Sequence, residues 1–297
     1  MAKLGRLLTA MVTPFDERGE VDYEQAKKLA LALLRSGSDG LVVSGTTGES
    51  PTLSREEKLR LFSEVKEAVG GRGTVVAGTG SYNTRETVEL TREAERLGMD
   101  AVLVVVPYYN KPTQQGLFEH FKTIASSTNL PCILYNVPSR TVTNLSPETV
   151  IRLSRVDNIV GLKEASGDLS QATEVLSGVE KDFLLYSGND GDTFSLLSLG
   201  GYGVISVASH LVGLQIKQVI DKVVGGDINQ AAAIHRNLLP LFKALFVLSN
   251  PIPVKYALNH IGFKVGPTRL PLTPPDEKSA AFIENTLKNY EVDLPLN

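Results

Sequence analysis

The sequence predicts an α/β fold, a (β/α)8 TIM barrel with a C-terminal helical extension, and three observations carry that prediction. Eight short apolar runs alternate with amphipathic stretches over the first 225 of 297 residues. Each run is continuously apolar rather than alternating, as parallel strands covered on both faces are. Beyond residue 225 three helical stretches follow with no strand between them. The expected organisation is a barrel over 1–225 and a helical extension over 226–297 packed on it. A doubly wound open sheet is the alternative. It would carry a glycine-rich dinucleotide turn after the first strand, where this chain has Thr13-Pro14-Phe15-Asp16.

Taken in order, a strand over 7–13 precedes a helix over 23–36. That helix is capped by Asp22 and presents Ala26, Leu29, Ala30, Leu33 and Leu34 on one face. The second strand, 40–43, leads to a helix opened by the capping box Ser54-Arg55-Glu56-Glu57. The third strand, 74–77, leads to a helix over 85–97 that Gly98 stops. Strands over 101–106, 132–136, 159–163, 183–187 and 203–206 complete the eight. Their helices fall over 115–127, 147–153, 169–176, 190–199 and 211–224. The extension reads as helices over 227–246, 251–261 and 275–289.

Composition narrows the function. With 30 basic and 33 acidic residues the net charge is −3, which argues against nucleic acid or an anionic membrane as a partner. The single cysteine, Cys132, excludes an intrachain disulfide and points to a reducing, cytoplasmic compartment. The longest apolar run, 101–106, is far short of the roughly 20 residues of a spanning helix. Lys3 and Arg6 ahead of Leu7 and Leu8 resemble a signal peptide slightly, but the apolar stretch breaks at Thr13-Pro14 and reads better as a strand. The four histidines show no metal-ligand spacing, and no nicotinamide fingerprint is present, so neither metal nor cofactor is expected.

Barrels of this class keep their chemistry at the C-terminal ends of the strands. Lys163 ends the sixth strand after Ile159-Val160-Gly161-Leu162. Alternation puts Gly161 and Lys163 on one face and Val160, Leu162 and Glu164 on the other. If Leu162 packs on the helices, Lys163 points into the barrel mouth, and Gly161 leaves space for a ligand. Burial in such a place frees an amine as a nucleophile, while a lysine that snorkels out or pairs with a carboxylate is the alternative. Tyr135, inward on the neighbouring strand with Ile133, is placed to move protons or simply to fill the core. Gly45-Thr46-Thr47-Gly48 offers backbone N–H groups and two hydroxyls in a flexible loop, suited to a carboxylate or phosphate. Arg140 is placed to fork onto a substrate carboxylate. One amine, two proton carriers, two hydroxyls and a guanidinium suit aldol chemistry on a small keto acid.

Four ordered segments sharpen this reading. They are Gly45-Thr46-Thr47-Gly48-Glu49-Ser50, Pro107-Tyr108-Tyr109-Asn110-Lys111-Pro112, Tyr135-Asn136-Val137-Pro138-Ser139-Arg140-Thr141 and Gly161-Leu162-Lys163-Glu164-Ala165. Through them the chain resembles the dihydrodipicolinate synthase / N-acetylneuraminate lyase family over essentially its whole length. The resemblance implies that Lys163 forms a Schiff base with pyruvate, whose enamine attacks L-aspartate-4-semialdehyde to give 4-hydroxy-tetrahydrodipicolinate, on the path to diaminopimelate and lysine. It implies a proton relay of Tyr135, Thr46 and Tyr109, and a pyruvate carboxylate held by Thr46 and Thr47. Arg140 would hold the semialdehyde carboxylate, and the carbonyls of Gly188 and Ile205 would complete the site. Tyr109 would reach a neighbouring subunit, in a tight dimer paired into a homotetramer. Thr46 in the turn and Arg140 favour the synthase branch over the sialic acid lyases; another pyruvate-dependent aldolase of the family, or a non-catalytic keto-acid-binding paralogue, is the alternative. The family's lysine-binding allosteric cleft maps to Ser50, Lys58, Tyr82, Glu86 and Tyr108. Lys58 puts a cation where a cationic ligand would sit, so weak or absent feedback by lysine is expected.

Overall fold

The structure is a computed structural model that describes residues 4–296; Lys3 lies outside them. Eight parallel strands close into one barrel in sequence order. They are β1 (Leu7–Ala10), β2 (Gly40–Val43), β3 (Thr74–Gly78), β4 (Ala101–Val105), β5 (Cys132–Asn136), β6 (Ile159–Glu164), β7 (Leu184–Ser187) and β8 (Gly203–Ser206), and β8 pairs back onto β1. The helices of the barrel are α1 (Tyr23–Arg35), α2 (Arg55–Val69), α3 (Thr84–Arg96), α4 (Gln114–Ala125), α5 (Pro138–Thr141), α6 (Pro147–Leu153), α7 (Leu169–Gly178), α8 (Thr193–Ser198) and α9 (Ser209–Val224). Beyond them come α10 (Ile228–Ala244), α11 (Ile252–His260) and α12 (Glu277–Leu287). Asp22 and Ser54 cap α1 and α2 as expected, Ser54 with a reciprocal bond from Glu57.

The continuous apolar runs are explained by two cores. Alternate strand residues such as Leu41, Val75, Val102, Leu134, Leu162 and Val204 pack outward against the helices. Their neighbours Val42, Val76, Leu103, Ile133, Tyr135 and Ile205 fill the barrel. A strand buried on both faces has no polar positions to alternate with. The bottom is closed by the N-terminal segment. Leu4 joins the interior core, Tyr202 Oη donates to the Leu4 carbonyl at 2.5 Å, and Tyr186 Oη donates to the Gly5 carbonyl at 2.9 Å.

Several boundaries differ from the sequence reading. β1 stops at Ala10 rather than residue 13, because the chain beyond Met11 turns away at the rim and Thr13 instead donates its hydroxyl to Gly48. Residues 190–199 are a 3-10 turn, Asp190–Asp192, followed by the short α8. α9 begins at Ser209 and carries a non-helical Val212. α5 is a single turn directly after β5, where the sequence pattern predicts no helix.

Candidate active site

Among the described residues, five non-glycine residues have positive φ: Ser44, Glu49, Tyr109, Lys111 and Val142. All lie on segments following strands β2, β4 and β5, at the C-terminal rim. Such conformations cost free energy and gather where function constrains the backbone. The β-branched Val142 is the most unusual of them.

Lys163 is 5% exposed and points inward. It stands level with Tyr135 on β5 and Tyr186 on β7, and Tyr135 stands level with Val105 on β4. Its Nζ sits 4.3 Å from the centroid of the Tyr135 ring. The route to this orientation differs from simple alternation. The β5–β6 register shifts so that Cys132 faces Ile159 and Ile133 faces Gly161, leaving Val160 extra. Val160 therefore packs against the interior rather than outward. The bulge resets the parity, Leu162 packs outward, and Lys163 turns in. Gly161 does not leave room for a ligand: a Cβ there would collide with the Leu184 carbonyl oxygen, so the glycine serves the close approach of β7. Behind the lysine, Glu164 is buried and accepts from Asn136 Nδ2, Gln171 Nε2 and the Ser166 amide, which anchors the end of β6.

A cavity of about 220 Å³ opens at the mouth, lined by Ser44, Thr46, Tyr108, Tyr135, Arg140 and Thr141 among others. Lys163 adjoins it through Tyr135. The Gly45–Gly48 turn is pinned rather than flexible. Glu49 N donates to Thr46 O at 3.1 Å, Ser50 N donates to Gly45 O at 3.2 Å, and Thr13 Oγ1 donates to Gly48 O at 2.7 Å. Thr47 is buried, and its Oγ1 accepts from Asn250 Nδ2 at 2.8 Å. That leaves the Thr47 proton free to donate to a bound oxygen. The carbonyl of the same Asn250 accepts from Arg140 Nη2 at 3.2 Å. One residue thus ties the hydroxyl and the guanidinium together. Sequence reasoning missed it, since Asn250 lies 203 residues from Thr47 and no local pattern marks the pairing.

Ile205 is buried in the barrel opposite Leu8. Gly188 N donates to Glu164 O at 2.7 Å, and a Cβ on Gly188 would lie 2.6 Å from Ala165 Cβ. Asp190, just beyond, is buried and accepts from Ser206 Oγ at 2.5 Å and from the amides of Val207 and Ala208. Burial raises its pKa. It fixes the exit of β8. Tyr109 is 91% exposed and stands outside the cavity of its own chain.

The five residues assigned to an allosteric cleft fall into two groups. Ser50 and Tyr108 line the catalytic mouth, and Tyr82 packs edge-on against Tyr108 at 5.1 Å. Lys58 and Glu86 line an adjoining pocket with Arg55, Thr79, Ser81 and Glu89. Gly80 is on the wall of both. Burial lowers the pKa of Lys58 and the Glu86 charge works against that shift. Burial also raises Tyr108.

This mouth is equipped for carbonyl chemistry through a lysine amine, and a lyase of the aldolase type is the class that fold and site define. The chain belongs to the dihydrodipicolinate synthetase family, whose model matches residues 3–290. It is 63% identical over 296 residues, essentially the whole of both chains, to a 4-hydroxy-tetrahydrodipicolinate synthase of Dehalococcoides mccartyi. It is 54% identical to the enzyme of that name from Moorella thermoacetica, over 95% of this chain and 98% of the relative. Among solved structures, a DHDPS from Cyanidioschyzon merolae with lysine bound superposes with a TM-score of 0.95 at 48% identity, covering 96% of this chain and 98% of that one. The dihydrodipicolinate synthase DapA-2 of Bacillus anthracis gives 0.95 at 43%, over 98% and 99%.

Proposed function

We propose that this chain condenses pyruvate with L-aspartate-4-semialdehyde to 4-hydroxy-tetrahydrodipicolinate, in diaminopimelate and lysine biosynthesis. The observation that carries the reading is the inward, buried Lys163 against Tyr135 beside a cavity holding Thr46 and Arg140. The amine adds to the pyruvate ketone and water leaves to form the imine. Loss of a methyl proton gives an enamine, and its carbon attacks the aldehyde. The second substrate's own amine then displaces Lys163, which closes the ring and frees the enzyme. Tyr135, Thr46 and Tyr109 move the protons. Thr46 and Thr47 hold the pyruvate carboxylate, Arg140 that of the semialdehyde, and the carbonyls of Gly188 and Ile205 complete the site. Tyr109 stands 91% exposed on its own chain, which supports its serving the site of a second subunit in a homotetramer built as a dimer of dimers. Among the described residues no helix is long and apolar enough to cross a membrane, which is consistent with the cytoplasm as the place of action.

Borohydride reduction in the presence of pyruvate, followed by intact mass and peptide mapping, tests the central step. A pyruvate-derived adduct on Lys163 is expected, and none in Lys163→Ala. Folded protein that gives no adduct refutes the reading.

A further inference from the structure

Lys163 and Lys255 are the two buried lysines among the described residues, and the reaction above uses only the first. Lys255, on α11, is 1% exposed. Its three N–H bonds meet three acceptors: Glu49 Oε1 at 2.9 Å, the Thr13 carbonyl at 2.9 Å and the Pro267 carbonyl at 2.6 Å. It also lies 4.2 Å from the centroid of the Phe15 ring. An ammonium with every proton engaged has no lone pair to offer, so Lys255 is not a second nucleophile. What it does is join three stretches of chain: the exit of β1, the loop after β2 and the segment beyond α11.

The partner in that loop matters most. Glu49 follows Gly48 directly and has φ of 56°. Its backbone N–H closes the Thr46 turn, and its second carboxylate oxygen accepts from Arg269 N at 2.9 Å. Both ends of Glu49 are therefore fixed, one by the turn it closes and one by the C-terminal segment. A buried ion pair adds little net stability over an apolar pair of similar volume, because desolvation offsets the attraction. What a fully bonded pair supplies is a single defined geometry.

We propose that the Lys255–Glu49 pair is a positioning device for the Thr46–Thr47 turn, setting where the keto-acid carboxylate is held relative to Lys163. This rests on the reading of Thr46 and Thr47 given under Proposed function. Neither residue touches the reacting atoms. Their effect is on the pose, and so on the concentration of pyruvate needed rather than on the chemistry at saturation.

The test compares the parent, Glu49→Gln, and the double variant Glu49→Leu/Lys255→Met, which replaces the pair by an apolar one. The readouts are half-saturation by pyruvate in borohydride trapping and thermal melting. The double variant is expected to fold but melt below the parent, because the Thr13 and Pro267 carbonyls and the Arg269 N–H lose their partners. It is expected to need about tenfold more pyruvate, with a trapping rate at saturation within about threefold. Glu49→Gln is expected to fall between them. A folded double variant with the parent's half-saturation overturns the proposal and leaves the Schiff-base reading intact. If the double variant does not fold, parental half-saturation in Glu49→Gln overturns it alone. Absence of trapping in the parent removes the Schiff-base reading itself, and this proposal with it.

Discussion

Replacing Gly188 by alanine should damage catalysis far more than folding. The new Cβ would stand 2.6 Å from Ala165 Cβ and 3.0 Å from the Glu164 carbonyl oxygen, where ordinary contact begins near 3.4 Å. Neither neighbour is the tip of a flexible side chain, so the exits of β6 and β7 must part by roughly 0.8 Å. Overpacking of this kind costs about 1–3 kcal/mol, and in a chain of this size each kcal/mol lowers Tm by about 2–4 °C. The larger consequence is at Lys163, one residue before Glu164. A misplacement near 1 Å costs on the order of 100-fold in rate. Steady-state kcat/KM, the rate of borohydride trapping and a melting curve would be measured together. Gly116→Ala, where a Cβ inside α4 meets nothing closer than 3.4 Å, is the control, expected to be neutral or stabilising by up to about 1 kcal/mol. Parental kcat/KM in a folded Gly188→Ala variant would show that the strand exits absorb the methyl group without moving the lysine, and the positional argument would fail.

Arg140→Ala should raise KM for the semialdehyde by about 10- to 100-fold, the worth of a charged hydrogen bond, while pyruvate trapping changes little; unaltered semialdehyde kinetics would remove Arg140 from that role. L-Lysine should inhibit weakly or not at all, since the Lys58 ammonium lines the pocket with Glu86 and repels a second cation there, and an inhibition constant well below millimolar contradicts this. His120 and His210 are both lowered by burial to about 4. Each therefore binds fewer protons folded than unfolded between its ordinary value near 6.5 and about 4, so stability rises with pH across that window and is lost as pH falls through it. Denaturant melts at pH 7, 5.5 and 4.5 should show the decline, and His210→Asn should flatten it; an unchanged slope counts against His210.

The barrel and the orientation of its lysine were legible in the chain because they rest on local chemistry. Strands buried on both faces are apolar throughout, and a lone lysine at the end of such a run has few places to go. The inward direction of Lys163 follows from Leu162 packing outward, a short-range inference that holds. The alternation written further back along β6 fails at Val160, because a bulge is a property of how two strands register. Gly161 looked like space for a ligand for a related reason: the carbonyl that fills that space belongs to β7. The turn after β2 looked flexible from its glycines and hydroxyls, yet Thr13 pins it from another strand exit, and Glu49, which closes it, is held by Lys255 and Arg269 from far along the chain. Asn250 was invisible for the same cause, as its two partners, Thr47 after β2 and Arg140 on α5, lie far away in sequence. What one strand or helix decides by itself could be read; what two distant segments decide together could not.

The tyrosine-bound segment under the barrel has a kinetic consequence. With Leu4 in the interior and Tyr186 and Tyr202 bonded to the N-terminal segment, the floor below Lys163 is filled, and the cavity beside the amine lies at the opposite, C-terminal rim. On the proposed mechanism, both reactants and the water released by imine formation pass that rim. If Lys163 carries the pyruvate imine as proposed, pyruvate, the reactant nearer the amine, is expected to bind before the semialdehyde. That expected order comes from depth, set by a floor that takes no part in the proposed chemistry.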